Sequence, residues 1–269
     1  MHGRKAVGGW CSQVHFERAS RWKVVYKLLT CRAGNVQISS KYLGQASDIS
    51  LSESIAYERQ LEDWKAWAAA CDIKNIPTIV QINHPGRQSP PGAGSKGFFD
   101  KNVAPSAVLP LVGPGCVAWT ISQLFFGTPK ELSIDEIKDI VRQFAMTARL
   151  AADAGFAGIQ VHAAHGYLLT QFMSAKVNRR TDQYGGSPAA RVKIVLDIIE
   201  AIREVTPKNF CIGIKVNSVD QSSGELADCI EQIKLIASVG VDFLEVSGGS
   251  MENPSVWQNL FIYTIVSLN

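Results

Sequence analysis

The stretch at residues 157–187 reads AGIQVHAAHGYLLTQFMSAKVNRRTDQYGGS, a short apolar strand followed by two histidines, a tyrosine and a long polar loop. Successive residues of a strand point to opposite faces. One face here contains Ala157, Ile159 and Val161, and the other contains Gly158, Gln160 and His162. An open sheet covered by helices is apolar on both faces. The polar face therefore indicates the inner lining of a barrel near its mouth, where barrel enzymes place their chemistry.

Helical and strand periods alternate from residue 50 onward, which is typical of βα units that feed a parallel sheet. The pattern predicts strands near 78–82, 157–161, 211–216 and 243–247, with a weaker candidate at 24–30. A chain of 269 residues can form one α/β barrel of about 250 residues or two smaller domains. Together with the polar inner face, the pattern predicts an α/β protein of the TIM (β/α)8 barrel class.

Start and stop signals predict four helices. Capping boxes at 50–53 and 133–136 indicate two starts, and Ser-Pro at 187–188 indicates a third. The fourth helix is predicted over 225–239 and ends at Gly240. The segment 84–131 holds seven prolines and is too long for an ordinary connection, so we predict a lid over the site.

Composition limits the classes of partner. Residues 1–32 contain seven of the 27 basic residues and one of the 24 acidic residues, so the remainder is slightly acidic, which argues against nucleic acid as a partner. The six cysteines form no C-x-x-C pair, which predicts reduced thiols in a cytoplasmic protein without an iron–sulfur cluster. No stretch reaches the about 18 apolar residues of a membrane span, so we expect no membrane partner.

The predicted site centres on His162, His165 and Tyr167, which directly follow a strand. Two imidazoles three residues apart in a turn can direct donors at one oxygen, and a tyrosine that is neutral at pH 7 can deliver a proton. A zinc pair is one alternative, but H-E-x-x-H and a third ligand are absent from the pattern, so we predict no metal. A second alternative is two structural histidines. His84 also follows a predicted strand, a position that favours function.

Two further inward residues are candidates for binding a ligand. Gln81 offers an amide donor and acceptor side by side, which matches the edge of a flavin or nucleobase, and it could equally anchor the lid. Lys215 on an inner face requires an anionic partner or loses its proton. Glu245 on the next strand and an anionic reduced flavin are compatible candidates for that partner.

In the loop 178–187, Arg180 and Asp182 are predicted to form a bonded structure that holds the histidine loop.

Five motifs in order carry a resemblance to a known family. They are QINHPGRQ at 81–88, QVHAAHGYLLTQFMS at 160–174, NRRTDQYGGS at 178–187, IKVNSVD at 214–220 and DFLEVSGG at 242–249. They resemble the old yellow enzyme family of NADH:flavin oxidoreductases, the FMN-dependent ene-reductases, from about residue 34 to residue 254. The resemblance implies a TIM barrel that holds FMN noncovalently, takes hydride from NAD(P)H and passes it to the β-carbon of an activated alkene such as an α,β-unsaturated carbonyl.

The resemblance also implies roles for single residues. His162 and His165 match the pair that binds the substrate carbonyl oxygen, and Tyr167 matches the proton donor. Gln81 matches the glutamine on the flavin pyrimidine edge. Lys215 stands where many members have an arginine beside flavin N1 and O2, so it keeps the charge and loses the bidentate fork.

The chain also departs from the family pattern. Residues 11–33 separate two segments that are nearly adjacent in family members, the family's first strand is not recognisable, and nothing after Pro254 resembles strands seven and eight. We therefore predict an atypical basic segment at 1–33, a partial barrel of about five of eight strands at 34–254 and an atypical tail at 255–269. We therefore expect a chain that is truncated at both ends and that binds FMN weakly or not at all. The alternative is a non-enzymatic incomplete barrel from a faulty gene model.

Overall fold

The computed structural model describes residues 32–45, 47–72, 76–97, 100–111, 113–217, 226–247 and 264–267. The weak strand candidate at 24–30 and the basic segment before residue 32 lie outside these ranges. So do the last two glycines of the DFLEVSGG motif, at 248–249.

The described strands form one large sheet and one small one. Their bounds are β1 Arg32–Gln37, β2 Ile49–Ser50, β3 Ile79–Asn83, β4 Val103–Ala104, β5 Lys130–Glu131, β6 Gly158–Ala163, β7 Cys211–Asn217, β8 Phe243–Ser247 and β9 Thr264–Ser267. The large sheet has the order β2-β1-β3-β6-β7-β8-β9, and β4 pairs with β5. All pairings are parallel except that of β9, which runs antiparallel to β8. The four predicted strands from 78 to 247 are confirmed.

Six helices complete the described elements. Their bounds are α1 Tyr57–Cys71, α2 Gly115–Phe125, α3 Ile134–Asp153, α4 Leu168–Met173, α5 Pro188–Val205 and α6 Leu226–Ser238, and a 3-10 turn spans Gly86–Gln88. Helix connections between parallel strands identify βα units, and the fold is the predicted α/β class with a partial (β/α)8 barrel. None of the helices described is both long and apolar enough to cross a membrane.

Of the two predicted capping boxes, one is present and one is absent. At α3, Ser133 Oγ accepts from the Glu136 backbone N–H, and the Glu136 carboxylate accepts from the Ser133 N–H, which completes the capping box. The capping box predicted at 50–53 is wrong. α1 begins at Tyr57 after an Ala56 cap that makes no side-chain bond, because Ser50 belongs to β2 and pairs with Gln37 of β1.

The two faces of the large sheet differ, as the alternation predicted. The outward residues of the central strands lie in the main core against α3 and α5, and they include Val80, Ile159, Val161, Ile212, Ile214 and Leu244. Burying an aliphatic side chain of this size contributes about 1.5–3 kcal/mol each. The inner face begins with a small apolar layer of Ile79, Cys211 and Phe243, and polar side chains follow toward the carboxyl ends of the strands. This arrangement places the polar groups at the barrel mouth.

The segment 84–131 is folded and lies against the histidine loop. The Asn102 amide donates to the carbonyls of Arg87 and Ser89 at 3.1 and 2.8 Å, which ties the segment together. The Gln88 amide donates to the Gly166 carbonyl at 2.8 Å. The lid that we predicted for this segment stays a prediction, and α2 within it was not predicted.

Candidate active site

The carboxyl ends of β6, β7 and β8 meet at the histidine loop. His165 has a left-handed backbone with a φ of 60°, which is uncommon for a residue other than glycine. Its backbone N–H donates to Asn217 Oδ1 at 2.8 Å, and its ring Nε2 lies 2.9 Å from Ser247 Oγ. Asn217 ends β7 and Ser247 ends β8, so two neighbouring strands fix the backbone and the ring of one histidine.

Three rings pack together at this point. The His162 centroid lies 4.9 Å from that of His165, with an interplanar angle of 76°, and 4.9 Å from that of Tyr167, at 81°. His162 Nδ1 accepts from the Ala164 backbone N–H at 3.2 Å. A backbone N–H can only donate, so the ring proton of neutral His162 is on Nε2, which makes that atom a donor. The structure thus brings the three predicted catalytic side chains into one cluster.

Tyr167 directly precedes α4, and its phenol lies near the Asp48 carboxylate. Burial raises the pKa of the Tyr167 phenol, and the negative charge of Asp48 raises it further, so the hydroxyl stays protonated at neutral pH. The Asp48 carboxylate is itself held in place by Gln37 Nε2 at 2.8 Å and by the backbone N–H groups of Gly44 and Gln45 at 3.0 and 2.9 Å. Sequence reasoning missed Asp48, because no motif marks a carboxylate that approaches from a loop after β1.

A row of four buried polar side chains lies deeper in the barrel. Lys215 Nζ lies 3.0 Å from Glu245 Oε1, which confirms Glu245 as a partner of the lysine. Gln160 Nε2 donates to Glu245 Oε2 at 2.7 Å, and Gln81 Nε2 donates to Gln160 Oε1 at 2.7 Å. Gln81 and Lys215 therefore belong to one hydrogen-bonded row, and Gln160 is a member that sequence reasoning did not single out.

Buried amide atoms on the inner face lack a partner among the described residues. They are Asn35 Oδ1, Gln37 Oε1, both amide atoms of Asn83, and Asn217 Nδ2. An unsatisfied buried polar group costs about 1–3 kcal/mol. The inner face near the mouth therefore suits a polar ligand that can donate and accept hydrogen bonds.

His84 has a different environment from the histidine pair. It is buried, its Nδ1 accepts from the Gly86 backbone N–H at 2.9 Å, and its ring centroid lies 5.4 Å from that of Tyr42. Burial lowers the pKa of His84 to about 3, so the ring is neutral at physiological pH. These contacts support the turn after β3, and they give His84 a structural part in holding the site.

The loop after α4 is bonded as the sequence predicted. Arg180 pairs with Asp182 and donates to the carbonyls of Pro105 at 2.9 Å and Leu132 at 2.6 Å. The Asn178 amide donates to the Phe172 carbonyl at the end of α4 at 2.8 Å. The loop is thereby fastened both to the segment 84–131 and to the helix that follows the histidines.

The residues that the structure describes contain no group of three or more His, Cys, Asp or Glu side chains that could hold a metal ion. The absence of a metal, predicted from the sequence, stays a prediction. The fold and the ring cluster define a partial α/β barrel with two histidines and a tyrosine grouped at its mouth.

Comparison with known proteins identifies the family. Residues 35–254 match the NADH:flavin oxidoreductase / NADH oxidase family. The chain therefore belongs to this family, which confirms the family predicted from the five motifs.

Curated relatives agree with the family. The chain is 53% identical over 226 residues to the NADH-dependent flavin oxidoreductase iliE of Neonectria sp. (strain DH2), covering 84% of the chain and 30% of that relative. It is 48% identical over 226 residues to the NADH-dependent flavin oxidoreductase iccE of Talaromyces variabilis, covering 83% of the chain and 55% of that relative. The chain thus spans about a third to a half of the length of these relatives.

Solved structures show the same fold. Morphinone reductase superposes with a TM-score of 0.68 at 24% identity, covering 91% of this chain and 65% of that one. The old yellow enzyme homologue from Zymomonas mobilis gives a TM-score of 0.64 at 22% identity, covering 83% of this chain and 64% of that one.

Proposed function

We propose that this chain carries the substrate-binding and flavin-edge part of an FMN-dependent oxidoreductase. The reaction is hydride transfer from NAD(P)H, by way of the flavin, to an activated alkene such as an α,β-unsaturated carbonyl. The observation that carries the proposal is the packing of His162 and Tyr167 at 4.9 Å between ring centroids, above a buried row that contains Gln81 and Lys215. The names of the two fungal relatives, both NADH-dependent flavin oxidoreductases, support it.

The inner face fits the pyrimidine edge of FMN. The flavin offers carbonyl acceptors and one ring N–H donor, and the unpartnered amide atoms of Asn83 and Asn35 are complementary to such an edge. Gln81 and Lys215 would hold that edge, the lysine by its charge. Bound FMN would supply a carrier that accepts hydride from a nicotinamide and returns it to carbon.

The residues above the row have distinct parts in the reaction. The Nε2–H of His162 donates to the carbonyl oxygen of the substrate, with His165 as the second donor, so negative charge that develops on that oxygen is stabilised. Tyr167 holds a proton on its phenol and delivers it to the carbon next to the carbonyl. The substrate is accordingly a small molecule with a hydrogen-bond acceptor conjugated to a double bond.

The cellular setting is proposed to be the cytoplasm. Cys116, Cys211 and Cys229 are free thiols in the structure, which suits a reducing compartment.

The direct test is enone reduction by the purified chain with excess FMN. NADH and NADPH are compared as donors under anaerobic conditions, and the reduced product is quantified. Truncation of His162 to alanine should lower kcat/KM by about 100-fold, as for loss of an oxyanion donor. Tyr167→Phe should lower turnover, whereas Tyr57→Phe, which removes a phenol bonded to Asp153 at the surface, should not. Equal activity of the wild type and the His162 variant would reject the proposal.

Flavin fluorescence quenching tests the expectation of weak FMN binding separately. Weak binding with enone reduction at saturating FMN supports both the expectation and the proposed function. Tight quenching would contradict the expectation and leave the function standing. A colourless chain that neither quenches nor turns over supports the alternative of a non-enzymatic incomplete barrel.

A further inference from the structure

The row of buried side chains runs across four neighbouring strands. Gln81 on β3 and Gln160 on β6 are register partners, and so are Lys215 on β7 and Glu245 on β8. All four are at most 9% exposed. Gln81 contacts Gln160 at 2.7 Å, Gln160 contacts Glu245 at 2.7 Å, and Glu245 contacts Lys215 at 3.0 Å. We refer to Gln81, Gln160 and Glu245 as the amide relay.

The carboxylate fixes the direction of every bond in the amide relay. An ionised carboxylate can only accept, so Gln160 must turn its Nε2 toward Glu245. The Gln160 oxygen then faces Gln81, and this acceptor requires the Nε2 of Gln81. The orientation of the Gln81 amide therefore follows from hydrogen-bond chemistry. It is set by a residue on a strand that does not adjoin its own.

We propose that Glu245 is a positioning residue that orients the Gln81 amide through Gln160, so that Gln81 presents its Oε1 as an acceptor to the bound cofactor. The identity of that cofactor as FMN rests on the proposed function. An acceptor at this place selects a ligand edge with a ring N–H, such as N3–H of the isoalloxazine. The Lys215 ammonium at the other end of the row would serve a carbonyl of the same ligand. The relay thus makes the Gln81 position selective for a ligand that carries a ring N–H.

The binding test compares FMN with 3-methyl-FMN, in which a methyl group replaces the N3 hydrogen. Fluorescence quenching gives both dissociation constants. Wild type should bind FMN about tenfold more tightly, the worth of one buried hydrogen bond. In Glu245→Gln the new amide can reverse the relay, so the preference should fall toward one. Gln160→Met cuts the relay and keeps the Lys215–Glu245 pair, and it should have the same effect.

The matched control removes a carboxylate that directly precedes β8 and lies outside the relay. Asp242→Asn breaks an ion pair with Arg203 at 2.7 Å, and its side chain is 34% exposed. The melting temperature of this variant should decrease, whereas its preference for FMN over 3-methyl-FMN should equal that of wild type. An equal loss of preference in Asp242→Asn and Glu245→Gln would overturn the proposal, since the effect would then reflect general destabilisation.

The second test needs no flavin. Thermal unfolding of Gln81→Leu, Glu245→Gln and the double variant measures whether two side chains without a direct hydrogen bond are coupled. The melting temperature of the double variant should fall by less than the sum of the decreases in the two single variants. In a Gln160→Met background, the decreases should become additive. Additive losses in the wild-type background would overturn the relay.

The two tests separate the relay from the proposed function. If neither flavin binds to wild type while the unfolding cycle is coupled, the relay stands and the proposed function falls. If FMN binds to wild type with the expected preference and Glu245→Gln keeps that preference, the relay falls and the function stands. If wild type does not distinguish the two flavins, the acceptor role of Gln81 is rejected.

Discussion

Ser247 Oγ lies 2.9 Å from the Nε2 atom of His165, and this contact ties the end of β8 to the histidine loop after β6. The ring is thereby fixed on one side, while Asn217 of β7 holds the backbone of the same residue. A histidine that must meet one substrate oxygen together with His162 gains from such positioning, because its orientation is set before the substrate arrives.

Removal of the Ser247 hydroxyl should loosen the His165 ring. We expect Ser247→Ala to lower kcat/KM for an enone about tenfold, the worth of one hydrogen bond, with a smaller effect on melting temperature. The control is Ser238→Ala, which removes a hydroxyl that donates to Leu235 at the exposed end of α6. Steady-state kinetics at saturating FMN measures both, and unchanged kinetics in Ser247→Ala would contradict a positioning role.

Arg180 should be irreplaceable by lysine. Its guanidinium is 5% exposed and serves Asp182 and two backbone carbonyls at once, a set that an ammonium cannot match in geometry. We expect Arg180→Lys to reduce the free energy of unfolding by about 2–3 kcal/mol in urea titrations. Arg142→Lys, in a pair whose side chains are 62% and 61% exposed, should change it by less than about 0.5 kcal/mol. Similar losses in both variants would count against this account of the loop.

Gly213 should tolerate no side chain while Phe243 is present. A Cβ atom at Gly213 would lie only 2.0–2.5 Å from three ring carbons of Phe243, which belongs to the inner apolar layer. We expect Gly213→Ala to cost about 1–3 kcal/mol, as for overpacking of a core. Addition of Phe243→Leu should recover part of that loss in the same unfolding experiment. Gly97→Ala is the control, since a Cβ there meets Asp100 at ordinary contact distances.

His84 should make the folded protein less stable at acidic pH. Its pKa is lowered to about 3 in the folded protein from 6.5, so below pH 6.5 the unfolded chain binds a proton that the folded protein does not. The free energy of unfolding should therefore decrease as pH falls from about 6.5 toward 3, by up to about 1.4 kcal/mol per pH unit. In His84→Asn this contribution is absent. Urea titrations at pH 6.5 and pH 5 should show a loss that is about 1–2 kcal/mol larger in wild type, and equal losses would contradict the prediction.

The sequence by itself determined the local elements and their faces. Strand alternation at 211–216 separated Ile214, which packs in the core, from Lys215, which faces the barrel interior. Ser133 and Glu136 marked the start of α3, because a capping box is formed by residues three positions apart. The position of the histidine loop at the end of a strand and the family motifs also followed from residues that are close in the chain.

Tertiary structure alone decided the contacts between distant segments. Pairing of β1 with β3, the approach of Asp48 to Tyr167 and the bond from Ser247 to His165 have no periodic signature. The amide relay depends on Gln81, Gln160 and Glu245 coming within hydrogen-bonding distance at one height in the barrel interior, although 79 and 85 residues separate its bonded pairs and Glu245 lies two residues beyond Phe243, which the register aligns with Gln160 through Gly213. Such a level is set by sheet register and twist, which are properties of the assembled strands, so the chain reveals which side chains face inward and only the folded sheet reveals which of them meet.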